Sequence, residues 1–177
     1  MELDLRYPIG KYTPPSEITR LDLEGWIGQL AEFPERLKGL TKNLTAEELN
    51  YTYRPEGWNI KQVVHHCADS HLNMICRFKL ALTEENPTIR PYYEDRWAKL
   101  PDNDLCPITV SLDILQGIHS RLVAVLKTLS EEQWQRTYFH PEHKQKFNLK
   151  FTAGMYAWHS MHHLAHVIQA LERKVSD

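Results

Sequence analysis

Between residues 151 and 171 the chain reads FTAGMYAWHSMHHLAHVIQAL and carries no Asp, Glu, Lys or Arg. A helix with one solvated face would show charges there, so a charge-free helix must be covered round most of its circumference. Ala157, Met161, Leu164, Ile168 and Leu171 recur at steps of four and three and make one apolar stripe. Met155, Tyr156 and Val167 lie on the opposite side. Such a helix needs partners on both sides, and the rest of the chain supplies them. Trp26, Leu30, Phe33, Leu37 and Leu40 stripe a helix that starts near Ser16 or Thr19, in which Pro34 should introduce a kink. Ile60, Val64, Cys67, His71, Ile75, Phe78 and Leu82 stripe a second, from about Asn59 to Glu84. Leu112, Leu115, His119, Leu122, Leu126 and Leu129 mark a third that starts near Thr109 or Ser111, and the charge-free helix itself runs from about Thr152 to Lys174.

No period-two run is sustained anywhere, so the expected class is all-α. The expected architecture is a single four-helix-bundle domain over residues 1–177, with residues 1–15 as a Pro-rich extended arm. Residues 86–108 contain four prolines and no period, and read as a long loop between the second and third main helices. Loops of that length in compact domains usually cover something, and Tyr92, Tyr93, Glu94, Asp95, Arg96 and Trp97 could form a lid or a subunit contact. There is also an internal echo. Thr45-Ala46-Glu47-Glu48 and Ser130-Glu131-Glu132-Gln133 each read as a capped turn, followed by a tyrosine (Tyr53, Tyr138), a proline (Pro55, Pro141) and a His-bearing helix.

Bulk properties narrow the function. The net charge of -2, with no basic run interleaved with aromatics, argues against nucleic acid or an anionic membrane as partner. No stretch approaches the roughly 20 uncharged apolar residues of a membrane span, and the N-terminus shows no signal-peptide pattern. The three cysteines, Cys67, Cys76 and Cys106, form no CxxC pair, which fits a reducing, cytoplasmic setting.

Histidine is the anomaly. Of ten, six fall in two clusters, His65/His66/His71 and His159/His162/His163, with His166 one turn further on. His159 and His163 are four apart on a helix, hence one above the other, and lie opposite the apolar stripe. His162 and His166 share that spacing, but His162 falls between the faces and is the weaker candidate. On the second helix His66 lies just beyond the edge of the apolar stripe, while His65 points toward Lys61 and Asp69. His66, His159 and His163 are therefore the expected ligands of one divalent metal. Gln62, Ser70, Asn73 and Arg77 fall near His66, and Gln62, Asn73 and Arg77 are candidates to hold a bound cofactor or substrate. Three imidazoles suit Zn, Ni, Co or Fe(II) and leave a position open, the catalytic rather than the structural pattern. Position 160 is Ser, so this is not an HExxH site. His119 sits in a core stripe, either as a buried His bonded to a carbonyl or as a residue supporting the metal or acting as a general base.

The segments GWNIKQVVHHCADSHLN (57–73), RFKLALTEENPTIRPYYE (77–94), YAWHSMHHLAH (156–166) and the opening YPIGKY (7–12) resemble the YfiT group of the DinB-like superfamily. The resemblance implies a four-helix bundle holding one metal through the second His of the HH pair and the first and fifth residues of the HSxHHxAH run, here His66, His159 and His163. It also implies a cytoplasmic homodimer, zinc or nickel as the metal, and a metal-dependent hydrolase acting on a small molecule. The double-sided apolar character of residues 151–171 would also suit a dimer. Wider relatives use the same site for transfer or isomerisation with low-molecular-weight thiols such as bacillithiol. Thiol S-transfer, or metal-dependent binding without catalysis, are thus the alternatives.

Overall fold

A computed structural model describes residues 4–176. The chain forms α1 (Arg20–Thr41), a 3-10 turn (Glu48–Asn50), α2 (Ile60–Thr83), the short α3 (Glu94–Trp97) and α4 (Asp102–Leu105), and α5 (Ile108–Leu126). It continues through α6 (Glu131–Trp134), a hairpin of β1 (Thr137–His140) and β2 (Gln145–Asn148), and α7 (Leu149–Ser176). The four long helices make the bundle. Each packs on two others: α1 on α5 and α7, and α2 on α5 and α7. Two of the three consecutive pairs of long helices, α1 with α2 and α5 with α7, therefore lie on diagonals, while α2 packs directly on α5. A chain that must cross the end of a bundle needs a long connection, and residues 42–59 and 127–148 provide the two.

Both crossings are built alike. In each, a hydroxyl and the side chain three residues on cap a short turn reciprocally: Thr45 with Glu48, and Ser130 with Gln133. Each then brings in a buried tyrosine, Tyr53 or Tyr138. In the first, Thr52 bridges Asn59 antiparallel, and in the second Thr137 pairs with Asn148. Both asparagines then cap the His-bearing helix that follows, Asn59 Oδ1 accepting from Gln62 N and Asn148 Oδ1 from Phe151 N, each at 2.8 Å. The echo read in the sequence is thus a repeated structural unit that launches α2 and α7 in the same way.

The hairpin is an addition to the expected all-α class. It is held from both sides: β1 pairs with β2 across Tyr138 and Phe147, while Phe139 exchanges hydrogen bonds with Pro87 and Ile89 of the 86–108 connection. That connection carries α3 and α4 rather than being structureless. Pro34 does not interrupt α1, which runs unbroken through it. Of the described helices, α5 alone is long and apolar enough to cross a membrane, and its buried residues Leu112, Leu115, Leu122 and Leu126 face the bundle.

The apolar core forms two clusters, one containing Leu30, Phe78, Trp134 and Tyr138, the other Phe33, Leu37, Val64 and Leu164. His71 and His119 lie where they meet, both against the ring of Phe33. The N-terminal arm is docked along α7: Trp158 Nε1 donates to Gly10 O at 3.1 Å and Gln169 Nε2 to Leu5 O at 3.0 Å. Gly10 has φ +77°, a conformation that favours glycine. Within one chain α1, α2 and this arm cover most of α7, while Ile168 of its apolar stripe stays exposed. Gly154 makes the close approach possible, since a Cβ there would overlap the Tyr12 hydroxyl and stand 2.8 Å from Trp26. Gly154→Ala should lower stability by about 1–3 kcal/mol in urea unfolding, as overpacking of a rigid contact does. An unchanged midpoint would show that the arm yields freely.

Candidate metal centre

α2 and α7 are neighbours in the bundle, and each turns imidazoles toward the other. His66 Nε2 and His159 Nε2 are 3.3 Å apart. The ring of His163 lies 4.4 Å from that of His159 and 4.8 Å from that of His66. One nitrogen of each ring falls within 4.8 Å of the others, and among the described residues no carboxylate or thiol joins them. Three converging neutral nitrogens, with no negative charge beside them, are a donor set for a borderline divalent cation. His66 and His163 are buried, and His159 is partly exposed to a cavity of about 470 Å³. Burial holds His66 down to about 4, with His162 adding to the effect. Burial, and then the neighbouring imidazoles, hold His159 and His163 well below the ordinary histidine value. All three therefore keep a lone pair free at neutral pH, as a ligand must.

The remaining candidates divide by placement. His65 turns away to Ser111 Oγ at 2.7 Å. His162 stacks on Trp158 at 4.6 Å and reaches the cavity wall without joining the cluster. Arg77 lines the cavity, its guanidinium 6.0 Å over the Tyr156 ring and its Nε buried without a hydrogen-bond partner. No ion pair of Arg77 is formed among the described residues. Gln62 and Asn73 are not at the wall. The Gln62 amide serves the α2 cap and donates to Ala98 O at 2.9 Å, and the Asn73 amide donates to Asp69 O. His119 is buried behind His71, whose Nδ1 is 2.6 Å from His119 Nε2. Cys67 is wholly buried and burial pushes its thiol up, so it acts as an apolar filler.

Several other wall residues are not among the site candidates read from the sequence. Trp58 packs on His66 at 4.6 Å. Tyr92 and Glu94 come from the 86–108 connection, and His140 and His143 from the hairpin. Only Tyr92 and Glu94 could have been suspected, from the crowding of aromatic and charged residues in that connection. His140 arrives through a strand pairing distant in sequence.

The sequence profile of the DinB superfamily matches residues 29–167. A protein of Bacillus pumilus is 46% identical over 96% of both chains, and one of Halalkalibacterium halodurans 47% identical over 97% of this chain and 99% of its own; both are named, provisionally, as metal-dependent hydrolases. The solved structure of YfiT from Bacillus subtilis superposes with a TM-score of 0.94 at 43% identity, covering 97% of this chain and 98% of YfiT, and is described as an unusual four-helix bundle topology. The mycothiol-dependent maleylpyruvate isomerase shares the fold at a TM-score of 0.60 and 14% identity, over 84% of this chain and 60% of that one. With the profile reaching from within α1 to within α7 and the relatives matching nearly end to end, the chain belongs to the DinB superfamily.

Proposed function

We propose that this protein is a metal-dependent hydrolase of a small-molecule substrate, with one zinc or nickel ion held by His66, His159 and His163. The carrying observation is that three neutral imidazoles meet at the floor of a cavity with no fourth protein donor among the described residues. A divalent cation bound there acts as a Lewis acid and makes water nucleophilic at neutral pH. The chain's own groups would do the rest. Arg77, at the wall and without an ion pair among the described residues, would stabilise negative charge that develops on a substrate carbonyl. Glu94, also at the wall, is an acceptor for the proton that a nucleophilic water gives up. Trp58 and Tyr156 line the site with apolar ring surface.

Zinc-loaded protein offered a panel of esters, amides and lactones should turn over at least one without added thiol, and His159→Ala should abolish the turnover. Arg77→Met should lose about 1.5–3 kcal/mol of transition-state stabilisation, roughly 10–100-fold in kcat/KM. A parallel assay supplies monochlorobimane with and without low-molecular-weight thiols. Turnover only in the presence of thiol would replace hydrolysis by S-transfer, and silence in both assays with metal bound would leave a binding protein.

A further inference from the structure

The outer nitrogens of the two α7 ligands do not face water. His159 Nδ1 lies 3.3 Å from His71 Nε2, His71 Nδ1 lies 2.6 Å from His119 Nε2, and His119 Nδ1 lies 2.5 Å from the Leu30 carbonyl oxygen. His163 Nδ1 lies 3.3 Å from His166 Nδ1, and His166 Nε2 lies 3.2 Å from the Arg6 carbonyl oxygen. Each chain of imidazoles thus ends on a backbone carbonyl. Such an oxygen only accepts, whereas a neutral imidazole has one donor and one acceptor nitrogen. Fixing the end therefore fixes every ring before it.

On the first chain, Leu30 O requires the proton on His119 Nδ1. His119 Nε2 is then an acceptor, which requires the proton on His71 Nδ1. His71 Nε2 accepts in turn, which requires the proton on His159 Nδ1. On the second, Arg6 O requires the proton on His166 Nε2, and His166 Nδ1 then takes the one on His163 Nδ1. We infer that these two buried imidazole chains, anchored on Leu30 O and Arg6 O, lock His159 and His163 in the Nδ1-protonated tautomer and so hold both Nε2 lone pairs toward the metal. His71, His119 and His166 are positioning residues in this scheme, and their role rests on the metal assignment made above. His71 and His119 are wholly buried, and burial keeps both below the ordinary histidine value, so the one-donor, one-acceptor condition is met.

Pro34 belongs to the device. Leu30 is the residue whose carbonyl the amide of residue 34 would take in a regular helix, and proline has no amide hydrogen to give. The carbonyl is left for His119. The same substitution of one donor for another lets α1 run through a buried proline without an orphaned carbonyl in the core. Metal-binding imidazoles commonly give their second N–H to a carboxylate or carbonyl. Here His163 reaches its carbonyl through one further imidazole and His159 through two, so the support is uncharged and leaves the charge of the site to the cation.

The test reads the tautomers directly. Long-range proton–nitrogen NMR of the metal-free protein should show His159, His163, His71 and His119 with a pyrrole-type Nδ1, and His166 with a pyrrole-type Nε2. His159 or His163 protonated at Nε2 would overturn the inference. In parallel, zinc affinity is measured by chelator competition. His119→Leu leaves the His71 donor without an acceptor, and should weaken zinc by roughly 10–100-fold. His119→Gln can accept from His71 and donate to Leu30 O with the same amide, and should bind zinc within a few-fold of the parent. A folded His119→Leu protein with unchanged zinc affinity would overturn the inference as well. If the leucine variant does not fold, the wild-type tautomers still decide. Wild-type protein with the expected tautomers that fails to bind zinc would defeat the metal assignment and leave the two chains standing.

Discussion

His163→Ala should reduce bound zinc from about one per chain to a level that elemental analysis after gel filtration does not detect. Of the three nitrogens, that of His163 closes the triangle: its ring is within 5 Å of both other rings, whereas His66 and His159 alone present two nitrogens 3.3 Å apart. Four-ligand zinc sites bind with about 10–16 kcal/mol at pH 7, roughly 3–4 kcal/mol per ligand, so losing one of three ligands should cost on the order of a hundred- to a thousandfold in affinity. His66→Ala should behave alike. His65→Ala and His162→Ala are the controls, because His65 is engaged with Ser111 and His162 is stacked on Trp158. Undiminished zinc in His163→Ala would remove that residue from the site. Loss of zinc in His162→Ala as well would mean that the site draws on the other face of α7.

The three converging histidines could be found in the sequence because helix geometry is local. Four residues is one turn wherever the helix sits, and the absence of charge over 151–171 announces burial before any partner is known. The same holds for His71 and His119, which interrupt the apolar stripes of α2 and α5 and so had to be buried. Their partnership was not visible, since it joins residues 48 apart in the chain. Pro34 shows the limit most clearly. Propensity says that a proline disturbs a helix, but not that the carbonyl it frees will be taken by an imidazole from another helix. The hairpin was hidden for a related reason. Gln145 and Lys146 of β2 are exposed, so that strand shows no alternation, and β1 is held by Pro87 and Ile89 from a distant connection. The wall of the cavity is drawn largely from such connections, which is why the three converging histidines could be read and most of the other wall residues could not.

The metal-free protein should unfold steeply in acid, above the pH at which its exposed carboxylates are protonated. Burial holds His66, His119, His140 and His162 at about 4 and His166 at about 3, keeps His71, His159 and His163 well below the ordinary value, and lowers His65. In the unfolded chain each of them takes up a proton near 6.5. Below that pH the unfolded state binds more protons than the folded one, so stability falls as pH falls and is fully present only above about 7. Each such imidazole removes about 1.4 kcal/mol per pH unit once the solution is well below 6.5. Asp69 acts in the opposite sense: burial raises it to about 6, so protonating it stabilises the fold as pH drops, but it is a single group set against nine. The exposed carboxylates whose values are lowered, Asp22 and Glu48 among them, lose their contribution only at more acid pH. Nine imidazoles acting together would consume a typical stability of 5–15 kcal/mol within about one pH unit below 6.5, which places the transition between about pH 5 and 6. Urea unfolding in the presence of a chelator, repeated from pH 7.5 downward, should show the slope directly, and His119→Gln should reduce it by about one proton. Zinc binds the folded state alone and should move the transition to lower pH until the ligands themselves are protonated. A stability that stays level from pH 7 to pH 5 without metal would mean that these histidines reach solvent, and that the buried imidazole layer described here does not hold.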